Sequence, residues 1–418
     1  MTKPAATVRD ATSPAGYGRD FRLYVAGRVV SIVGDRIAKI ALVFLVIRLA
    51  HGFGPAVSLY YIAQLAPSVV GGFLAGVVAD QVDRRRLMVA CDVVRALLVA
   101  IVPAVTAFGV WTIFPVVVVL YAVTELFSNA ATAAIPDVVP DEHLTGANAI
   151  LNGISAAADF AYAVGGALIF VFGYELPFYF DAATFGFSAL MIFGMRIPRQ
   201  PIAPPLDVAG VLRRMAEGAA YLLRQPFLKW STFALGVGAL AGGITYVVTP
   251  LYASEALAKS PWLIGPLRGG PFRFSVLEVA LGLGYLLASA VVTRLSRRWR
   301  RGHLFGAGLV GYGVSYALLA PCGNLFIAIF LLAFGGFCNG LFIITGLTLI
   351  QRLTPTEVRG RVFGANSTVI NTSLVVGSAI GGGLLLVLPF ASLWLLLGAV
   401  IVLSSLFVWL RPDVRSEA

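Results

Sequence analysis

Long apolar runs separated by short polar breaks dominate this chain. After a polar stretch at 1–20, they fall at about 21–50, 55–80, 87–109, 112–135, 148–173 and 177–196. Six more follow at about 228–253, 273–294, 303–321, 324–350, 361–388 and 390–410. A helix crossing hydrocarbon needs ~20 apolar residues, so each run predicts one span. The predicted fold is an all-α membrane protein with twelve transmembrane helices in two pseudo-symmetric six-helix bundles, 21–196 and 228–410. The long polar link, 197–227, opens with Pro198, Pro201, Pro204 and Pro205. Polar tails cover 1–20 and 411–418.

The link carries an amphipathic segment, Val208 to Gln225. Val208, Val211, Leu212, Met215, Ala219 and Leu222 recur at helical spacing, with Arg213, Arg214, Glu217 and Arg224 opposite. Such a helix either lies on the inner leaflet with its arginines at the headgroups or packs on the bundle as a linker. An internal repeat supports two halves. A shift of 215 places Ile135 on Ile350, Pro140 on Pro355, Glu142 on Glu357 and Gly166 on Gly381. Both stretches read as a span end, a short Pro-x-Glu loop and a glycine-rich span.

Composition agrees with lipid as solvent. Of 418 residues, 59% are hydrophobic and 12% charged, against about 25% charged in soluble domains. The net charge of +11 is not a nucleic-acid face, because the basic residues cluster between apolar runs as topology signals do. With the N-terminus inside, the inner segments hold Lys3, Arg9, Arg19, Arg22, Arg84, Arg85 and Arg86, then Arg196, Arg199, Arg213, Arg214, Arg224 and Lys229. They continue with Arg294, Arg297, Arg298, Arg300, Arg301, Arg352, Arg359, Arg361, Arg411 and Arg415. Only Lys259, Arg268 and Arg273, after the seventh run, break the bias. Both termini are therefore expected in the cytoplasm of a multi-pass plasma-membrane protein. No signal peptide is expected, since the first twenty residues lack an apolar core. Cys91, Cys322 and Cys338 lack metal spacing and read as packing residues.

The most specific motif joins runs two and three: Gly76-Val-Val-Ala-Asp80-Gln-Val-Asp83-Arg84-Arg85-Arg86. Glycine, three residues, aspartate and a basic cluster resemble the signature loop of the major facilitator superfamily. Asp92 and Arg95, one turn apart in run three, extend the charge pattern. Further features resemble the macrolide-efflux and enterobactin-export branch: Phe21-Arg22-Leu23, Gly34-Asp35, Pro136-Asp137-Val-Val-Pro140, Ala147-Asn148 and Gly360-Arg361-Val362-Phe363-Gly364. The resemblance covers nearly the whole chain. It implies outward movement of small organic molecules, and an inner gate formed by Gly76, Asp80, Asp83, Arg84, Arg85, Arg86, Asp92 and Arg95. It also implies gate-helix glycines at Gly165, Gly166, Gly377, Gly381 and Gly382. In this branch a Gly-Pro pair precedes the fifth-span glycines, whereas here Ala161-Tyr162 precede Gly165-Gly166.

Ionisable residues at membrane depth are costly and mark function or internal pairing. Run one holds Asp35, Arg36 and Lys39, with Asp35 and Lys39 sharing a face at i,i+4. Run four holds Glu125, with Asn129 one turn later, and run five holds Asp159. In the resembled fold, spans one and four line the central cavity. Asp35 and Glu125 then either exchange protons, meet a cationic substrate, or stay paired with Arg36, Lys39 or Arg95 as internal glue. Asp181 and Glu255 are expected near the outer surface. The second half offers Glu278, Tyr246, Phe272, Tyr285, Asn339, Asn366 and Asn371, a set suited to a bulky hydrophobic solute.

No phosphate loop is present, and His51, His143 and His303 form no cluster. The expectation is a non-enzymatic, gradient-driven transporter with no cofactor and no bound metal. Its partners are a small-molecule substrate, protons and membrane lipid, with no nucleic acid, and it is expected as a monomer. The leading reading is a proton-coupled exporter of a drug, siderophore or metabolite working by alternating access. A lysophospholipid-type carrier and a non-transporting sensor or accessory subunit are the alternatives.

Overall fold

The computed structural model describes residues 17–197 and 208–409, with the side chains of 70–81, 208–209, 211–212, 214 and 409 outside the description. The tails at 1–16 and 410–418 and the proline-rich stretch from Pro198 through Pro205 therefore lie outside the described residues.

The described chain is helical throughout apart from turns. Its α-helices are α1 (Arg19–Leu49), α2 (Gly54–Gln81), α3 (Arg84–Val105), α4 (Ile113–Val138), α5 (Leu144–Ala158), α6 (Ala161–Phe172) and α7 (Leu176–Phe193). They continue as α8 (Val208–Arg224), α9 (Pro226–Ser254), α10 (Gly270–Arg298), α11 (Arg301–Leu319), α12 (Leu325–Leu353), α13 (Thr356–Leu384) and α14 (Phe390–Trp409). Among the described residues, nine segments are long and apolar enough to cross a membrane, α5 and α6 counting together as Asp141–Phe172. The fifth apolar run is thus two helices rather than one. Asp159 N–H and Phe160 N–H turn to the carbonyls three residues back, at 3.4 and 3.2 Å, and Tyr162 and Ala163 do the same at 3.2 and 3.1 Å. The break is a tightened turn of the 3₁₀ kind.

The helices fall into two compact units. One comprises 17–45 and 70–197; the other comprises 46–69 and 208–409. Hydrocarbon does not drive helices together, so close backbone approach at small residues must hold them. In the second unit, a Cβ on Gly284 of α10 would overlap the Ala333 carbonyl of α12, and one on Gly336 of α12 would overlap the Leu281 carbonyl of α10. The two helices are notched into each other. Between α9 and α13, Gly243 meets the Leu374 carbonyl and Gly377 meets the Leu240 carbonyl. Residues 46–69 pack with these later helices. Ser58 Oγ donates to the Ser378 carbonyl at 2.7 Å, and Tyr61 stacks on Tyr246 with ring centroids 5.4 Å apart.

Pro140 and Pro355 adopt nearly the same backbone angles, φ −58°, ψ 147° and φ −55°, ψ 149°, each at the entry to a glycine-bearing helical run. In the first unit Gly165 leaves a Cβ only 3.0 Å from Ile37 Cα of α1. In the second, Gly381 leaves one 3.1 Å from Ile244 Cα of α9.

Two features of the charge pattern gain a structural cause. The amphipathic helix α8 rests on the first turns of α13, where Arg361 Nη1 donates to Glu217 Oε2 at 2.8 Å and Gly218 abuts the Arg361 backbone. Arg273, one of the exceptions to the charge bias, is only 3% exposed. It donates to Ala253 O at 2.7 Å, Leu267 O at 2.9 Å, Arg268 O at 2.7 Å and Ser254 O at 3.2 Å. Its guanidinium caps the carbonyl end of α9, where unpaired acceptors concentrate negative potential. It acts as a clamp rather than a topology signal.

Two substitutions test this packing. Gly284→Val should cost about 1–3 kcal/mol by overpacking, read as a lower melting temperature in detergent, whereas Gly360→Ala, where nothing lies within 4 Å, should not destabilise. Arg273→Gln should cost about 3 kcal/mol, because a charged donor to several buried carbonyls is lost; an unchanged melting temperature would remove the clamp.

Candidate functional site

Within the first unit, α1, α3, α4 and α7 enclose a small cavity. Its polar lining is Asp35 and Lys39 from α1, Tyr121 and Thr124 from α4, and Asp181 from α7, closed by Phe178 and by aliphatic side chains of α3. The free volume is about 30 Å³, room for about two water molecules. That is room for water or a small ion and not for an organic solute.

Local sequence explains how two carboxylates meet there. Asp35 and Lys39 are one helical turn apart and share a face. Asp181 reaches α1 because residue 34 is glycine: a Cβ there would overlap Asp181 Oδ1 and Thr184 Oγ1. Asp181 is 2% exposed and turned inward near the start of α7. Thr184 Oγ1 donates to its carboxylate at 3.1 Å and to its carbonyl at 2.7 Å. Asp35 differs. Arg95, Arg28, Arg36 and Lys39 act on it electrostatically, yet among the described residues no hydrogen bond or close ion pair holds its carboxylate.

Beside the cavity, Asp92 and Arg95 of α3 form an ion pair at 0% exposure. The Arg95 guanidinium lies between the rings of Phe127 and Phe185, at 4.1 and 4.3 Å from their centroids. Two faces are thus covered by cation–π contact. Among the described residues, its Nε and Nη1 find no hydrogen-bond acceptor. The pair is interior, and it faces the Asp35–Asp181 cavity electrostatically.

Arg36 turns elsewhere. Its Nε donates to Asp159 Oδ1 at 2.9 Å, and its guanidinium lies 5.4 Å from the Tyr162 ring. The structure therefore pairs Arg36 with the tightened turn between α5 and α6, not with Asp35. Glu125 is half-buried on α4 outside the cavity; Asn129 Nδ2 donates to its backbone carbonyl at 2.8 Å. Among the gate-helix glycines, Gly165 and Gly166 are buried on α6, while Gly382 on α13 abuts Ser58 Cβ.

The basic motif after α2 is organised around α3. The Asp83 carboxylate caps α3 by accepting from Arg86 N–H at 2.9 Å. Arg84 Nη1 donates to Asp137 Oδ2 at 2.9 Å and to the Ala133 carbonyl at 3.0 Å, tying the start of α3 to the end of α4. Arg85 donates to the Phe193 carbonyl and lies 4.9 Å from the Phe193 ring. Gly76 and Asp80 lie in α2, and their side chains are outside the described residues.

The Major Facilitator Superfamily profile matches residues 26–277 and 269–418, nearly the whole chain. The chain belongs to the Major Facilitator Superfamily. Its relatives include macrolide efflux protein A of Streptococcus pyogenes, 24% identical over 361 residues, covering 84% of this chain and 86% of that protein. The enterobactin exporter EntS of Escherichia coli O1:K1 / APEC is 23% identical, covering 87% of this chain and 85% of that protein. Among solved structures, a mutant of the nucleoside transporter NupG superposes with a TM-score of 0.76 at 14% identity, covering 94% of this chain and all of that one, at 100%. That likeness shows the fold. As a superfamily member with these relatives, the protein is a multi-pass membrane transporter of small molecules and not an enzyme.

The sequence pointed to Asp35 and Lys39 and missed Asp181. The available signal was a carboxylate inside the 177–196 run, combined with a small residue, Gly34, next to Asp35. Asp137 was visible as part of a motif, but not as the partner of Arg84.

The Asp92–Arg95 pair makes a prediction that separates structure from transport. Arg95→Met should cost about 3–5 kcal/mol of stability by stranding a buried carboxylate, whereas Asp92→Leu with Arg95→Met should recover most of it. Detergent melting curves of the single and double variants read this directly.

Proposed function

We propose that the protein is a proton-coupled exporter of a small hydrophobic organic molecule, with the Asp35–Asp181 cavity as its proton site. The twelve-span, two-bundle arrangement with both termini in the cytoplasm belongs to this reading. It is supported by the inner clustering of basic residues and by the repeat of the Pro-x-Glu entry and the glycine contacts. Outward transport is supported by the likeness to macrolide efflux protein A and the enterobactin exporter EntS. The substrate is a drug-like, siderophore-like or metabolite-like molecule.

One observation carries the coupling assignment. Two carboxylates and one ammonium line a space of about 30 Å³, too small for the substrate and large enough for water. A proton on either carboxylate lets the other pair with Lys39 and leaves the trio neutral. Loss of that proton adds a negative charge to a low-dielectric interior, where it is costly. Proton occupancy therefore changes the free energy of the α1–α7 contact, which transport requires of a coupling site. The charged and titratable groups around it are Arg28, Arg36 and Lys39 on α1, Asp92 and Arg95 on α3, Tyr121 on α4 and Asp181 on α7. Asp92 pairs with Arg95, Arg36 is held by Asp159 and Arg28 lies over the Phe127 ring; Asp35 and Asp181 are the carboxylates left to share the proton. The Arg84–Asp137 tie, with Asp80 beside it in sequence, serves the inner gate.

The test uses proteoliposomes with an imposed pH gradient and a panel containing a macrolide and a catecholate siderophore. Asp35→Asn and Asp181→Asn should each lower gradient-driven accumulation by about tenfold while downhill exchange survives. Accumulation that still follows the gradient in Asp35→Asn would sink the assignment. Asp80→Asn should slow both modes while membrane insertion is unchanged, and wild-type rates would count against the gate.

A further inference from the structure

A second, much larger hollow lies on the second unit. It has a volume of about 1000 Å³ and is bounded by the end of α10, the turn that follows, α11, α12 and α14. Such a volume is at the top of the range for small-molecule pockets, about 300–1,000 Å³. Its polarity is segregated along its length. At one end lie Arg298, Trp299, Arg300 and His303. Beyond them the α11 wall is Ala307, Val310 and Gly311, and small residues spaced along one helix face leave a groove. Ser405, whose Oγ donates to the Gly306 carbonyl at 3.1 Å, closes the floor polar group by polar group.

Three properties narrow the occupant. Among the described residues lining the hollow there is no carboxylate, so Arg298 and Arg300 present uncompensated positive charge at its mouth. Trp299 is 63% exposed there, in the position that tryptophan favours at a membrane interface. The helices that bound the groove also carry exposed aliphatics, Leu287 on α10, Leu318 on α11 and Leu403 on α14, and Leu406 of α14 lines the groove itself. An anionic head with a long apolar tail matches that order; a soluble anion matches only the mouth.

We propose that this groove is a binding site for an acidic phospholipid, its phosphate at Arg298 and Arg300 and an acyl chain laid along Ala307, Val310 and Gly311. The site rests on the membrane-spanning reading of the chain and is independent of which solute is exported or of proton coupling. Under the inside-basic orientation the lipid comes from the cytoplasmic leaflet, where anionic lipids attract basic residues. A bound lipid bridging α10, α11 and α14 ties transporter stability to membrane composition.

The full-length protein is reconstituted in phosphatidylcholine vesicles containing either brominated phosphatidylcholine or brominated phosphatidylglycerol. Quenching of the Trp299 component, obtained by difference from Trp299→Phe, should be several-fold stronger with the acidic lipid. The double variant Arg298→Gln, Arg300→Gln should lower that preference by about fivefold per arginine removed. Ala307→Phe, at an exposed position, should abolish the preference by filling the groove while the mouth keeps its charge. Equal quenching by the two lipids in the unmodified protein overturns the proposal, as does a preference indifferent to the arginines. Relief of quenching by millimolar inorganic phosphate also overturns it, because the site would then read a free anion. The readout is lipid contact, so loss of solute flux in the Asp35 or Asp181 variants leaves it untouched, and the two proposals fail separately.

Discussion

Hydrocarbon supplies no hydrogen-bond partner, and this constraint runs through every buried polar contact in the protein. Hydroxyls in the helices turn back on their own backbone: Thr124 donates to Leu120 O at 2.8 Å, Thr348 to Ile344 O at 2.7 Å and Thr368 to Gly364 O at 3.0 Å. Arg273 goes further and gathers two carbonyls at the end of α9 and two in the turn before α10. The same absence of water removes the usual drive for helix association, which is why glycines rather than large aliphatics define the α9–α13 and α10–α12 seams.

Against that background of satisfied groups, the first unit contains two kinds of embedded charge. Asp92–Arg95 and Arg36–Asp159 are closed pairs, one stacked between rings and the other at a helix junction. Asp35 and Asp181 share a space with one lysine between them. The closed pairs hold α3 to its neighbours and α1 to the α5–α6 junction. The trio has more acids than bases. The closed pairs and the trio have the same chemistry and differ in stoichiometry.

The helices were legible because span length and apolar content are local properties: each of the twelve apolar runs contains one of these helices, or two in the case of α5 and α6. The signature loop and its relatives were legible for the same reason, being contiguous in sequence. Pairing was not. Arg36 adjoins Asp35 in the chain, but successive helical residues point about 100° apart, and its partner lies 123 positions away at Asp159. Asp181 was read only by its depth in the run, and depth along a helix says nothing about which face it shows; its contact with Gly34, on another helix, supplies that. Arg273 read as an exception to charge bias because a topology rule counts charges without asking what they bond. The amphipathic segment kept two readings open from its pattern alone, and its contacts with α13 add the tertiary information the pattern lacked.

The tightened turn at Asp159–Phe160 also alters angular bookkeeping along that run. A 3₁₀ turn advances about 120° per residue where an α-helix advances about 100°, so a few residues wound this way swing the following face by ~40–60°. A helical wheel drawn from Leu144 straight through to Phe172 would therefore misassign which side chains of α6 share a stripe with those of α5. Azimuth within this span must be counted afresh from Ala161, and sequence comparisons that treat the run as one cylinder will average two unlike surfaces.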